Sequence, residues 1–409
     1  MTRTELLDRR AHVADEVGWG QRVSWVQPRN ACLWVFVAVI AYGLWYTASQ
    51  VRSQGPAYGE PLGISAVIFS VYAVLFWWFT THIDRYSRQP LDLRVAAFLW
   101  GGFAATWAIA LHGNSALISL YGKLVDPAFA VDWGAGLAAP FMEEWGKAAG
   151  VLLLMFIAPR VLRTAFDGFV VGAFVGLGFE IVEDILYALN SAPDGFGVDP
   201  VASSLHTVLL RLGTGFTSHI LYSAIFGAGV VYLVGTVAQR RRVGRGLLFC
   251  LVAMVLHWAW DSTTALASGN GGLTMALLAL QVVVAVAVVL IVFHVTVGPE
   301  RAAMRELMAP EVDDGTLTAQ EADALAGAWK QRRVPSRRRR AGPPSPGPSP
   351  RGGQGPRRRA GCRPGAGDAA GGVRAGGARP VPARRRAAGR ARHAARRVTT
   401  RDRCGATTS

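Results

Sequence analysis

Apolar residues are grouped along the chain in eight long runs that are separated by short polar connections. Each run has roughly 18 to 25 residues, which is the length that a helix needs to cross about 30 Å of hydrocarbon. The pattern therefore predicts an all-α, polytopic membrane protein with about eight transmembrane helices. The predicted spans are Ala31–Ser49, Gly63–Thr81, Val95–Leu111, Trp133–Ala158, Thr164–Leu189, Leu212–Val237, Gly246–Ala267 and Leu273–Val295.

Basic residues alternate between these connections in the way that the positive-inside rule requires. The N-terminal segment and the second, fourth and sixth connections are rich in arginine: Arg3, Arg9, Arg10, Arg22 and Arg29, then Arg85, Arg88 and Arg94, then Arg160 and Arg163, then Arg240, Arg241, Arg242 and Arg245. The other connections contain little beyond Arg52, Lys123 and Arg211. Both termini are therefore predicted in the cytoplasm, and residues 202–211 are predicted to form an outer interfacial turn or helix.

The overall charge does not point to a nucleic-acid partner, although the chain of 409 residues has a formal net charge of +16. Residues 331–409 hold 22 Arg, no Lys and 2 Asp, so this tail carries +20 and residues 1–330 carry −4. The basic excess lies in the tail alone. Only 17% of all residues are charged and 51% are hydrophobic, which is unusual for soluble domains.

The chain is predicted to divide into four parts. A cytoplasmic segment (1–30) precedes the membrane domain (31–297), which is followed by a juxtamembrane segment (298–333) and an Arg/Gly/Pro-rich disordered tail (334–409). The tail has no aromatic residue with which to build a core. Two interpretations of the tail remain open, a basic segment that touches anionic lipid and a GC-rich frame read out of register.

Ionisable residues occur inside four of the predicted spans. A charged side chain at the bilayer centre costs roughly 2.5 to 3.5 kcal/mol, so each such residue is a functional candidate. At 1.5 Å per residue, one layer about 10 to 15 Å below the outer face contains Glu143, Glu180, Glu183, His219 and His257, and Asp184 lies nearer the outer end. The full set is Glu143, Glu144 and Lys147 in span four, Glu180, Glu183 and Asp184 in span five, His219 in span six, and His257 and Asp261 in span seven.

Their spacing predicts that they share one interior. Glu143 and Lys147 lie one turn apart, as do His257 and Asp261, so each pair occupies one helix face. Lys147 is expected to be the counter-ion of Glu143 or Glu144. A stripe of glycines on span five (Gly168, Gly172 and Gly176) predicts close packing against span four or span seven.

Histidine and carboxylate ligands suit a zinc-like ion with one position open for water. A nearby carboxylate can then act as the general base for attack on a peptide carbonyl. Adjacent glutamates point about 100° apart on a helix, so one is expected to reach the ion or water and the other to meet Lys147 or another helix. The sequence contains no HExxH or GxSxG motif, and no pair of aspartates of the GxGD kind.

The segments that carry these residues resemble one known family. EEWGK at 143–147, DGFVVGAFVGLGFEIVEDILY at 167–187, His219 and HWAWD at 257–261 resemble the PrsW family of intramembrane metalloproteases. That family belongs to the glutamate-dependent membrane proteases, which include the CAAX prenyl endopeptidases. The resemblance covers residues 30–297 and implies cleavage of a membrane-anchored anti-sigma factor near the outer face. Asp184 stands where the family frequently has Asn.

The resemblance implies Glu143 and Glu144 as the essential acid pair, with Glu183, His219 and His257 as further site residues. We therefore predict Glu143, Glu144 and Glu183 as catalytic residues and His219 and His257 as ligands of a single zinc-like ion. Three supporting residues are predicted around them, namely Lys147, Glu180 and Asp261, of which Asp261 is expected to orient the His257 ring. No residue is assigned to an organic cofactor.

The expected partners are a membrane-anchored protein substrate and the lipid bilayer, with no nucleic acid, in a bacterial plasma membrane. The oligomeric state is left open. Three alternatives are also open: a metal-free site in which glutamate activates water, an ion- or proton-coupled transporter that uses the same acids and histidines as a relay, and a catalytically inert scaffold. Transporters often show internal repeats, and none is visible here.

Overall fold

The computed structural model describes residues 2–215 and 218–327, and this part of the chain contains helices and no strand. The all-α prediction is therefore confirmed for it. The helices are α1 (Arg3–Val17), α2 (Ala31–Ile83), α3 (Leu91–Leu99), a π-helical segment (Trp100–Ala110), α4 (Leu111–Leu124), α5 (Pro127–Ile157), α6 (Ala165–Asn190), a short 3₁₀ turn (Asp194–Gly197), α7 (Pro200–Thr214), α8 (His219–Val234), α9 (Val243–Asp261), α10 (Thr263–Leu266), α11 (Gly271–Leu307), α12 (Ala309–Asp313) and α13 (Ala319–Leu325).

Contacts divide the chain into two units, Met1–Arg339 and Arg340–Ser409, and all described residues belong to the first. The predicted tail (334–409) lies outside the described residues. The predicted boundaries of the other three parts stay predictions.

Four helical stretches within the described residues are long and apolar enough to cross a membrane. They are Ala31–Ile83, Leu91–Leu124, Val243–Asp261 and Gly271–Leu307, while His219–Val234 is apolar but shorter. The structure thus has the helices of a membrane protein. The total of eight spans and the cytoplasmic location of both termini stay predictions.

The first two predicted spans are the two helical halves of α2, which meet at a kink and not in a loop. Its helical geometry is broken at Tyr58 (φ −128°, ψ 27°), between Pro56 and Pro61, which cannot donate a backbone hydrogen bond. Phe36 from the first half stacks on Trp100, at 5.2 Å between ring centroids, and Trp77 from the second half packs on Phe98 at 5.9 Å. Because Trp100 and Phe98 are neighbours, the two halves of α2 lie side by side and the chain reverses at Tyr58.

Helix α6 runs through the middle of the molecule, and most of its residues are buried. A Cβ atom added to Gly168, Gly172 or Gly176 would overlap a backbone carbonyl oxygen of α8. The glycine stripe therefore packs against α8, and the prediction that it faces span four or seven is wrong. The physical reason is that this face, which has no side chains, lets the α6 and α8 backbones touch.

The two ends of α6 lie near different groups of charged residues. At its start, Asp167 accepts a hydrogen bond from Gln89 in the loop before α3, at 2.6 Å. Near its other end, Glu180 and Glu183 contact the start of α8. Asp167 and Glu180 are 13 residues apart, or about 20 Å along the helix. We call the end of the molecule near Asp167 the basic end, and the end near Glu180 and Glu183 the site end.

Candidate active site

Two local features of α5 bring α9 close to the acid pair. Pro140, one turn before Glu143, has no N–H and so leaves the Gly136 carbonyl without its helical partner. A Cβ at Gly136 would overlap the hydroxyl oxygen of Ser262, the residue after α9. The small residue therefore lets the end of α9, which carries His257 and Asp261, pack directly against α5.

Glu143 lies between the two histidines. Its Oε2 atom is 3.7 Å from Nδ1 of His219 and 3.7 Å from Nε2 of His257. Its Oε1 atom accepts a hydrogen bond from the side-chain amide of Asn114, at 3.0 Å. Both histidines and Glu143 are buried. Three helices thus place one carboxylate oxygen and two ring nitrogens at a common point.

Lys147 is buried inside the same group, with 1% of its surface exposed. Its Nζ atom donates to Oε1 of Glu144 at 2.8 Å and to Oε2 of Glu143 at 3.4 Å. It also lies 2.8 Å from Nδ1 of His219 and 3.9 Å from the centre of the Phe179 ring. The predicted pairing of Lys147 with the glutamates is therefore present for both of them.

The His257 ring is held at both of its nitrogens. Nδ1 lies 3.0 Å from Oε1 of Glu144, while Nε2 faces Glu143 and lies 3.2 Å from Oδ2 of Asp261. The ring also stacks on Tyr222 at 5.4 Å between centroids. Asp261 thus contacts the His257 ring, as the sequence predicts, but it does so at Nε2, and Glu144 contacts the opposite nitrogen, Nδ1. One helical turn beyond His257, Asp261 reaches only the Nε2 edge, and α5 covers the other edge.

His219 is held by Glu183, whose Oε2 atom lies 2.8 Å from Nε2 of the ring. The same oxygen accepts a hydrogen bond from Nη2 of Arg211 at 2.8 Å. Arg211 also pairs with Asp184 and lies over the Tyr187 ring, 4.6 Å from its centre. Asp184 is 1% exposed, so it is a buried partner of Arg211.

Glu180 fixes the position of His219 through the backbone. Its Oε2 atom accepts hydrogen bonds from Oγ of Ser218 at 2.6 Å and from the backbone N–H of His219 at 3.0 Å. A carboxylate at this point satisfies free N–H groups and complements the positive end of the α8 dipole. The sequence predicted Glu180 as a supporting residue from its depth in span five, and Glu180 contacts the backbone of His219. The sequence did not predict that Glu180 would cap α8.

A cavity of about 250 Å³ opens onto these groups. Its charged and polar lining consists of Thr106, Asn114, Ser115, Glu143, Glu183, Asn190, Arg211, His219, His257 and Asp261. Arg211 and Asn114 are functional candidates that the sequence analysis missed. Arg211 was an isolated basic residue among acidic neighbours in an outer connection, which is the one signal that could have singled it out.

The residues at this point fit a divalent metal ion. The ligand atoms of Glu143, His219 and His257 lie within 4.8 Å of one another. Bonds of about 2.0 to 2.2 Å to a zinc-like ion place neighbouring ligands about 3.5 Å apart, close to the two distances of 3.7 Å. The opposite nitrogen of each ring contacts a carboxylate, Glu183 or Glu144, as is typical of metal-bound histidines. Lys147 would compete with the ion for two of the three ligand atoms.

Residues 89–293, half of the chain, match the PrsW family intramembrane metalloprotease. The chain belongs to the PrsW family. The matched segment includes every residue of the Glu/His cluster. As a member of this family, the chain is classed as an intramembrane protease of the metallo type. The transporter and scaffold alternatives do not explain this family membership.

Two curated relatives, each named Protease PrsW, show the same relationship. The protein from Clostridioides difficile (strain 630) is 22% identical over 197 residues, which cover 47% of this chain and 75% of the relative. The protein from Geobacillus kaustophilus (strain HTA426) is 27% identical over 164 residues, which cover 40% of this chain and 63% of the relative. The chain thus spans less than two thirds of the second relative. No solved structure matches it.

Proposed function

We propose that this PrsW-family chain is an endopeptidase that cuts a membrane-anchored protein near the outer face of a bacterial plasma membrane. The observation that carries the proposal is the convergence of Glu143, His219 and His257 beside one cavity, within the segment that matches the family. The arginine alternation supports eight spans with the basic end in the cytoplasm, so the cavity lies in the outer half. A membrane-anchored anti-sigma factor is the substrate class that the resemblance implies.

We assign the residues as follows. Glu143, His219 and His257 hold one zinc-like ion, which when bound supplies an electrophile and an acidic water. Glu144 and Glu183 each accept a hydrogen bond from a histidine and so fix the direction of its other nitrogen. Lys147 neutralises the acid pair, Glu180 anchors the start of α8, and Asn114 orients Glu143. Asp261, with 22% of its side chain exposed, faces the cavity and can exchange protons there.

Removal of the central carboxylate tests the enzyme assignment. Glu143→Gln keeps the shape of the side chain, and we expect it to abolish proteolysis because the ion loses one of its three protein ligands. The measurement is a proteomic comparison of shed ectodomains from cells that carry the wild type or the variant, with the amount of inserted protein checked by immunoblot.

Glu300→Gln is the matched control for this experiment. Glu300 is also a buried glutamate of a membrane helix, but it binds the Trp19 indole N–H at 3.2 Å at the basic end. The Glu300→Gln variant should leave the pattern of shed ectodomains unchanged. Full shedding by cells with Glu143→Gln would exclude the proposed site.

Metal content tests the cofactor assignment separately. We expect the purified wild-type chain to hold about one equivalent of a divalent metal by mass spectrometry, and His257→Ala to hold none. Glu144→Gln should weaken metal affinity about 10- to 100-fold, because it removes the acceptor behind the ring. Active protein that survives strong chelation with no detectable metal would decide for the metal-free alternative.

A further inference from the structure

A second and larger cavity, of about 1050 Å³, lies at the basic end of the molecule. It is formed by the end of α2, the loop 84–90, the start of α3 and the second half of α11. Gln89, one of its lining residues, binds Asp167 at the start of α6. The cavity is therefore about 20 Å along α6 from the candidate active site, and the proposed proteolysis makes no use of it.

Four arginines line this cavity, namely Arg85, Arg88, Arg94 and Arg301, together with His82 and His294. Among the described residues, none of these arginines forms an ion pair with a carboxylate; the ion pairs present involve other cations. Arginine presents a planar fork of donors that matches a phosphate group. The cavity thus has a concentration of unmatched positive charge and the donors to recognise an anion.

Tyr86 holds two of these arginines together. Its buried hydroxyl group accepts hydrogen bonds from Nη2 of Arg85 at 2.7 Å and from Nε of Arg301 at 3.2 Å, and it donates to the Ala326 carbonyl at 3.1 Å. Two like charges that converge on one neutral oxygen repel each other. The arrangement becomes favourable when an anion binds both guanidinium groups.

The other two arginines also have unused hydrogen-bonding capacity. Nε of Arg94 is buried with no hydrogen-bond partner among the described residues, although Nη1 donates to Thr81 at 2.7 Å. Arg88 is exposed, with no hydrogen bond from its side chain in the described part of the chain, and its backbone has a φ of +46°, which is uncommon for a residue other than glycine. Strained backbone of this kind is often found at binding sites.

A single carboxylate, Asp84, lies among the described residues that line the cavity. Its oxygens already accept hydrogen bonds from the Ser87 hydroxyl at 2.9 Å and the Gln89 backbone N–H at 2.6 Å. Burial raises the pKa of Asp84 to about 7. Even when Asp84 is ionised, one carboxylate leaves the four arginines with an excess of positive charge.

The rim of the cavity is apolar and exposed. Trp78, Leu91 and Leu290 are 65%, 59% and 52% exposed, and they belong to three of the stretches that are apolar enough to cross a membrane. A ligand at this position would contact the positively charged arginines of the cavity and the apolar surface of its rim at the same time. We propose that the cavity binds the phosphodiester headgroup of an anionic phospholipid, with the acyl chains against this rim. Residues 331–409, with a net charge of +20, have the wrong sign to fill it.

A lipid titration of the full chain tests this site. The purified protein in a nonionic detergent is mixed with micelles that contain phosphatidylglycerol or phosphatidylcholine, and thermal unfolding is followed by tryptophan fluorescence. We expect phosphatidylglycerol, and not phosphatidylcholine, to raise the Tm saturably. Each arginine is expected to contribute about fivefold to the apparent affinity for phosphatidylglycerol. In the double variant Arg88→Gln/Arg301→Gln this affinity should therefore fall about 25-fold.

The matched control is Arg240→Gln/Arg242→Gln, which removes the same charge from exposed residues at the same end but outside the cavity. It should respond to phosphatidylglycerol like the wild type. An equal loss in both double variants, or an equal response to phosphatidylcholine, would overturn the site. Inorganic phosphate that reproduced the full Tm shift would overturn the lipid assignment. If the cavity variant does not fold, Arg88→Gln alone carries the test, with an expected loss of about fivefold.

Discussion

The two ends of α6 place their positive charges in opposite surroundings. At the site end, Lys147 contacts Glu143 and Glu144, and Arg211 contacts Glu183 and Asp184. At the basic end, the four arginines of the larger cavity have no carboxylate partner among the described residues. Carboxylates of the protein thus neutralise Lys147 and Arg211, but in the described part of the chain they do not neutralise the arginines of the larger cavity.

The difference follows from access to water and lipid. Lys147 is 1% exposed, so its charge is stable only with carboxylates beside it. Arg88 is exposed, and the other cavity arginines are half-buried, so an anion from outside can neutralise them. Loss of a positive charge at the site end should therefore damage folding or catalysis, whereas the same loss at the basic end should change only ligand binding.

The first prediction concerns the side of the membrane on which each end lies, and its effect is all-or-none. Reporter fusions after Arg245 and at Thr318 should read cytoplasmic, and a fusion near Gly195 should read external, because arginine-rich connections remain inside. Alkaline phosphatase and fluorescent reporters at each position measure this directly. An external reading at Thr318 would mean an odd number of spans and would remove the basis for an outer-half site.

The next largest effect is expected from Lys147→Met. This change leaves two buried carboxylates without their cation, and breaking a buried pair in this way costs about 3 to 5 kcal/mol. The melting temperature of the purified protein and the yield of inserted protein should both fall. Lys123→Met is the control, because Lys123 is exposed in the last turn of α4. The double variant Lys147→Met/Glu144→Gln should recover part of the lost stability. If Lys147→Met alone were as stable as Lys123→Met, the pairing of Lys147 with the glutamates would not be required.

A smaller effect on stability but a clear one on activity is expected from Arg211→Gln. Arg211 and His219 share Oε2 of Glu183, so loss of the guanidinium group frees Glu183 to turn away from the histidine. We expect kcat to fall about 10- to 100-fold with little change in KM, as for other residues that orient ligands. Arg52→Gln is the control, since the side chain of Arg52 binds the Ala48 carbonyl and no carboxylate among the described residues. Equal kinetics for the two variants would remove Arg211 from the site.

Much of the site could be predicted from the sequence because charge is costly in hydrocarbon. Glu143, Glu183, His219 and His257 lie in apolar runs at matching depth, and residues of this kind must share an interior. The structure places them together in one cluster. The all-helical class follows from the same physics, since a helix satisfies its own backbone within lipid.

What the sequence could not specify were the contacts between helices. Arg211 and Asn114 lie on helices with no buried charge pattern, and only packing brings them to Glu183 and Glu143. The glycine stripe predicted a close neighbour but did not identify it as α8. The spacing of His257 and Asp261 predicted their contact, but no pattern predicted the contact of Glu144 with the same ring. The order of residues gives the depth of each side chain along its helix. The rotation of a helix about its own axis, and which helix packs beside it, depend on side-chain packing across the whole bundle. Only the tertiary structure therefore decided them.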